Sequence, residues 1–225
     1  LSYTIRSVEQ DRKQRRRYLI YVDQAEDSMF SVHEDLLIRH RLFKGLEITD
    51  QMIEDIVAED DRYRAYALAI YYLGARPRTA KEIERYLLRK ELEGEPIAYA
   101  IERLQQERLV DDVDYAKRFA ESRLRSSGKG RLYIQQELKM RGVDKHTADQ
   151  AAAGLSKETE QAAADQAAMK RWRSLSGETY EKRRKLAQFL LRRGYPMEVS
   201  MAAVKRAMAQ SNEQDDGEDV VWLDN

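Results

Sequence analysis

The sequence has no cysteine, which excludes disulfides, thiolate nucleophiles, iron–sulfur clusters and cysteine-bound zinc. Only 3 prolines and 10 glycines punctuate its 225 residues, too few for a turn-rich sheet protein and in keeping with long helices. Long apolar runs are also missing. The longest, Ala65 to Ala75, falls well short of the ~20 residues that span a bilayer. No signal-peptide pattern opens the chain; because it starts at Leu1 rather than methionine, a truncated or processed start is expected. His33, His40 and His146 show no metal-ligand spacing. No phosphate-binding glycine loop, nucleophile motif or metal-spaced cluster is present. The expectation is a cytoplasmic, mainly helical protein that needs no cofactor, touches no membrane and is not an enzyme.

The layout of charge says more than its total. Forty basic and forty acidic residues cancel over the chain. Residues 1–61 nevertheless carry net −5, residues 62–210 net +11 and residues 211–225 net −6. A basic body between acidic ends points to an acidic partner, nucleic acid or protein, although long solvated helices also carry many Lys and Arg. The acidic tail encloses a short apolar patch, Val220–Leu223, and is expected to be mobile and to compete for the basic body.

Near the N-terminus, Tyr18–Val22 and Met29–Val32 are β-prone runs joined by a polar stretch, so a hairpin is expected, with Tyr3–Ile5 as a third strand. Ser31 and Glu34 have capping-box spacing ahead of a first helix over Glu34–Phe43, closed by Gly45. Thr49 caps a second helix with Met52, Ile53, Ile56 and Val57 on one face.

From Arg62 onward the chain repeats itself. Ile83, Leu87 and Lys90 recur 51 residues later as Ile134, Leu138 and Arg141, and 52 residues after that as Leu186, Leu190 and Arg193. Gly142 and Gly194 then stand where a helix end calls for positive φ, a place taken by Glu91 in the first copy. Ala100, Ala151 and Ala203 coincide under the same offsets, as do Leu104, Leu155 and Ala207. A further helix precedes each copy, over Tyr63–Leu73, Tyr115–Arg125 and Ala163–Arg173. Thr79 with Glu82 and Thr147 with Gln150 are capping boxes, and Pro96 and Pro196 suit first helical turns. Three helices in about 50 residues bury too little alone, so neighbours should stack. The expected fold is three tandem three-helix repeats in an elongated curved array, preceded by a short N-terminal β-hairpin and helices. Its parts are a hairpin extension at 1–33, a helical lead-in at 34–61, repeats at 62–110, 111–156 and 157–210, and the tail at 211–225.

Three strings occur in order: Ala75-Arg-Pro-Arg-Thr-Ala-Lys-Glu-Ile83, Leu109-Val-Asp-Asp112 followed by Tyr115-Ala116, and Lys129-Gly130 leading through Ile134-Gln-Gln-Glu-Leu138 to Arg141-Gly-Val143. With Phe189-Leu-Leu-Arg-Arg-Gly-Tyr195 they resemble the RecX family, bacterial regulators of the RecA recombinase. The resemblance covers about Phe30 to Met208; Glu91 and the acidic tail depart from it. It implies a protein that binds in the groove of the RecA–DNA filament, with single- or double-stranded DNA as a second contact; a monomer is expected. It also implies lowered ATP hydrolysis, strand exchange and co-protease activity, restraining recombination and the SOS response. The alternative is a helical-repeat protein that binds DNA without RecA.

The candidate contacts are basic. Lys90, Arg141 and Arg193 are equivalent cations at the last turn of the repeated helix, where they also suit the helix C-terminus. Lys81, Arg85 and Arg89 form a stripe at i, i+4 and i+8. Arg76 and Arg78 flank Pro77, and Lys129 and Arg131 flank Gly130; cations on loops favour function over packing. Arg171, Arg173, Arg183, Arg184 and Arg192 make the third repeat strongly basic. Such residues would neutralise phosphates without reading sequence. Tyr72 and Tyr86 are expected in helix packing, Trp172 in the core or an interface, and Asp111 and Asp112 at a helix N-cap.

Overall fold

The computed structural model describes residues 1–23 and 25–218, with side chains as far as Gln210. Four strands and ten helices follow one another in the described residues. Strands β1 (Ser2–Gln10), β2 (Arg17–Val22), β3 (Phe30–His33) and β4 (Glu47–Thr49) form an antiparallel sheet in the order β3-β2-β1-β4. The helices are α1 (Glu34–Arg39), α2 (Asp50–Leu73), α3 (Ala80–Leu88), α4 (Glu95–Gln106), α5 (Asp112–Ser127), α6 (Arg131–Met140), α7 (Lys145–Ala153), α8 (Lys157–Arg173), α9 (Thr179–Arg192) and α10 (Met197–Glu218). The chain divides into two compact units. One holds Leu1–Arg78 and Ile83–Val110; the other holds Thr79–Glu82 and the described residues from Asp111 on.

In the first unit the sheet buries Ile5, Ile20, Val22, Val32 and Ile48 against Leu36, Leu42 and Ile56. Ile20 and Val22 alternate with half-buried Leu19 and Tyr21, the period expected of a sheet covered on one face. The sheet is larger than the expected hairpin. β1 extends well past Tyr3–Ile5, and β4 was not legible at all, because its alternation about the single buried Ile48 runs for only three residues. Helix α1 ends at Arg39 rather than Phe43: Arg41 takes a positive φ of 50° and turns Leu42 back into the core. His33, not Ser31, caps it through its ring nitrogen; Ser31 instead accepts hydrogen bonds from Arg17. Thr49 caps α2 as expected, accepting from Met52 N–H. The two helices read over Met52–Val57 and Tyr63–Leu73 are one continuous 24-residue helix, since no Gly or Pro interrupts them.

The repeat read from the sequence is a repeat in three dimensions. Ile83, Ile134 and Leu186 are fully buried, as are Leu87, Leu138 and Leu190, and Leu104, Leu155 and Ala207 are buried at the next helix. Ala65, Ala116 and Ala168 occupy one buried position; Ala69 and Ala120 correspond to the larger Trp172. Gly142 and Gly194 have φ of 90° and 81°, and Glu91 adopts the same left-handed conformation at 61°. Thr79 and Glu82 form the reciprocal capping box. Thr147 with Gln150 does not: Asp144 caps α7 and Thr147 is buried in its first turn. Pro96 lies in the first turn of α4, and Pro196 stands one residue ahead of α10. Side chains of 211–218 and all of 219–225, including the patch at Val220–Leu223, lie outside the described residues.

Within the second unit the repeated helices meet head to tail. Thr79 Oγ1 donates to the Arg141 carbonyl at 2.7 Å, while Gly130 N–H donates to the Arg193 carbonyl at 2.9 Å and Leu132 N–H to the Gly194 carbonyl at 3.0 Å. Only glycine permits this approach. A Cβ on Gly130 would lie 2.4 Å from the Gly194 carbonyl oxygen, and one on Gly142 would lie 2.2 Å from Lys81 Cβ. Gly130→Ala is therefore expected to cost about 2 kcal/mol or more through backbone overpacking. Gly154→Ala, in ordinary contact at 3.4 Å and helical φ, should be neutral or slightly stabilising. Urea unfolding of the two variants checks this; equal losses would contradict it.

Candidate functional site

The basic candidates differ in burial: some are half-buried against carboxylates, carbonyls and rings, and others are exposed. Arg131 is the clearest of the first kind. It opens α6, its guanidinium lies 2.6 Å from Glu160, and its backbone N–H donates to the same carboxylate at 2.8 Å. Glu160 is fully buried. Such a pair is held by hydrogen bonds on both sides, and losing one partner strands a buried charge. Arg141 is similarly engaged: it reaches Glu82 and Tyr115 Oη, each at 3.2 Å, and lies 4.7 Å above the Phe119 ring. Arg193 donates to the Gly128 carbonyl at 3.2 Å and covers Phe189 at 4.7 Å. Burial beside them pushes the Tyr195 hydroxyl up to about 12. At two of the three equivalent positions, then, the cation closes the head-to-tail joint. Lys90, at the third, is exposed, its ammonium 5.7 Å from Tyr86.

Two loop cations lie on aromatic rings. Arg78 covers Tyr72 at 4.0 Å, Tyr72 stacks on Tyr86 at 4.2 Å and 4°, and Lys129 covers Tyr133 at 4.0 Å. Cation–ring contacts of this kind contribute roughly 0.5–2 kcal/mol each. They give Arg78, beside Pro77, and Lys129, beside Gly130, a packing contact in addition to the loop position from which the sequence reads function.

The exposed set is Arg76, Lys81, Arg85, Arg89 and Lys90 around α3, with Arg171, Arg173, Arg183, Arg184 and Arg192 in the third repeat. Lys81, Arg85 and Arg89 share one side of α3 and its end, as their spacing predicts. Arg171 joins Lys170, Arg193, Ser127 and Ser174 around a groove floored by Ala167 and Phe189; its guanidinium lies 5.6 Å from Phe189, opposite Arg193. Arg183 borders a second groove with Met201 and Lys205.

Two features escaped the sequence. One is a recurrent carboxylate. Asp60 accepts from His33 N–H at 2.8 Å, Asp112 from Ala80 N–H at 2.9 Å and Glu160 from Arg131 N–H. Asp111 is the N-cap of α5, but Asp112 serves another helix; burial pushes its carboxyl up, the Ala80 hydrogen bond pulling the other way. The other is the β1–β2 turn, where five cations fall within Asp11–Arg17; averaging over residues 1–61 hid them. No group of three or more potential metal ligands occurs among the described residues, and no described helix is long and apolar enough to cross a membrane.

Three-helix modules with carboxylate-latched helix starts and many exposed cations define a helical-repeat protein. Residues 65–104, 111–151 and 158–204 match, in order, the first, second and third three-helix domains of RecX. The chain is 35% identical to Regulatory protein RecX of Oceanobacillus iheyensis over 87% of this chain and 73% of that protein. It is 31% identical to Regulatory protein RecX of Halalkalibacterium halodurans, over 95% and 82%. A crystal structure of regulatory protein RecX superposes with a TM-score of 0.68 at 27% identity, covering 88% of this chain and 96% of that one. That of RecX from Lactobacillus salivarius gives 0.64 over 67% and 99%, at an identity of 24%. The chain belongs to the RecX family.

Removing Glu160 tests the division between held and exposed cations. Glu160→Ala is expected to lower stability by about 3–5 kcal/mol, as breaking a buried pair does. Arg89→Ala and Arg184→Ala should stay within about 0.5 kcal/mol, as exposed substitutions do. Chemical unfolding decides; a loss at Glu160 no larger than at Arg89 would contradict the assignment.

Proposed function

We propose that this chain is a regulator of the RecA recombinase that binds the RecA–DNA filament in its groove as a monomer in the cytoplasm. It performs no chemistry; lodged there, it lowers ATP hydrolysis, strand exchange and co-protease activity and so restrains recombinational repair and the SOS response. The observation that carries this reading is the ordered run of three RecX domains over residues 65–204. The exposed cations support it. Arg76, Lys81, Arg85, Arg89 and Lys90, with Arg171, Arg173, Arg183, Arg184 and Arg192, face solvent and suit acidic surfaces and phosphates. A bound regulator shifts the filament only by its differential affinity for active and inactive arrangements. Moving a population from 1:99 to 99:1 takes a difference of about 10⁴-fold.

A second reading is favoured by the net +11 of residues 62–210: binding to DNA that needs no RecA. One experiment separates the two. Titrated into cognate RecA on single-stranded DNA, the chain is expected to depress ATP hydrolysis at or below one chain per RecA. An unchanged rate at saturation overturns the filament reading. If the chain then binds DNA alone, with affinity falling steeply as salt rises, the second reading stands in its place.

A further inference from the structure

The tip of the β1–β2 hairpin is built as carefully as any helix cap, yet it lies outside the three repeats and their joints. Asp11 N–H donates to the Arg17 carbonyl at 2.8 Å and Arg17 N–H to the Gln14 carbonyl at 2.9 Å. Lys13 N–H donates to the Asp11 carboxylate at 2.7 Å, and the Gln10 amide donates to the Arg15 carbonyl. The one carboxylate of the tip is thus engaged by the turn itself. At the base, Arg17 is clamped by Asp60 at 2.6 Å and by the Ser31 carbonyl at 2.9 Å, and Arg16 lies 3.3 Å from Glu34. The Glu34 N–H also donates to the Arg16 carbonyl at 2.9 Å. Two of the five cations therefore fasten the ribbon to α1 and α2.

Arg12, Lys13 and Arg15 remain. All three are exposed, and among the described residues none has an ion-pair partner. Three like charges within four residues repel one another and return nothing to the fold, so their placement on an anchored turn calls for an anionic ligand. The chemistry of the tip narrows that ligand. From Gln10 to Arg17 there is no apolar or aromatic side chain. A protein partner is ordinarily gripped by aromatic or apolar anchors, and a membrane surface by apolar residues that enter it. What the turn between β1 and β2 offers a ligand is charge and hydrogen-bond donors, the groups that engage a phosphate backbone. Arg and Lys with amides such as Gln10 and Gln14 are the usual donors to phosphate oxygens.

We infer that the β1–β2 tip is a nucleic-acid finger that binds phosphates through Arg12, Lys13 and Arg15 without reading sequence. It is a site apart from the repeats and does not need RecA, so it stands or falls independently of the filament reading.

The test uses the full chain and the variant Arg12→Gln/Lys13→Gln/Arg15→Gln, with labelled random-sequence duplex and single-stranded oligonucleotides followed by fluorescence anisotropy across a salt series. A control, Lys44→Gln/Lys117→Gln/Lys145→Gln, removes the same charge from exposed positions elsewhere. The tip variant is expected to bind at least about tenfold more weakly at low salt. Its slope of log K against log salt should fall in magnitude by about 2–3, near 0.9 for each duplex phosphate that is no longer neutralised. The control should keep the parent slope. If the tip variant melts early, the single Lys13→Gln carries the same test, with a slope change of about 1. Identical curves for tip variant and control, or no binding by the parent chain, overturn the inference. So does tighter binding to poly-glutamate or to phosphatidylserine vesicles than to either oligonucleotide.

Discussion

A helix that starts inside a protein brings backbone N–H groups that have no partner within the helix. In this chain three such starts are answered in one way: a carboxylate on the following long helix reaches back to the amide. Asp60 on α2 serves the start of α1, Asp112 on α5 serves α3, and Glu160 on α8 serves α6. The negative charge also lies where the helix dipole favours it. Two of the three carboxylates hold an arginine as well, Arg17 and Arg131. Much else depends on this latch. It sets where each short helix begins, and in the second unit that start, Thr79 or Gly130, receives the end of the next repeated helix at Arg141 or Arg193. Modules of about 50 residues, too small to stand alone, are tied by polar joints as well as by apolar burial.

The latch also separates cations by their contacts. A chain in which 36% of residues are charged cannot be read for function by counting arginines. Arg131, Arg141 and Arg193 are committed to carboxylates, carbonyls and rings, whereas Arg89, Arg173 and Arg184 are exposed. The committed set ties helices of the fold to one another.

The repeat was legible because its core positions are regular. Ile83, Ile134 and Leu186 recur with their partners four residues on, and a glycine follows two of the three copies; burial and positive φ match those signals. Even Glu91, the exception in the pattern, holds the left-handed conformation that the glycines mark. The latch was not legible, because each carboxylate lies 27 to 32 residues from its amide and is one acid among forty. Thr147 has the spacing of a cap, yet Asp144, three residues earlier, takes the role and leaves it buried. Arg131 has the look of a loop cation beside a glycine, and only the fold brings Glu160 to it. Local patterns reported local structure; the polar contacts that join modules span distances no local window covers.

Amide hydrogen exchange at His33, Ala80 and Arg131 tests the latch most directly. These amides begin helices, where exchange is ordinarily fast, yet each donates to a carboxylate of another helix. They are expected to be protected to near the level of global unfolding. Glu95, which begins α4 behind a glycine with no side-chain cap, should exchange far faster. Exchange at the three positions as rapid as at Glu95 would contradict the account.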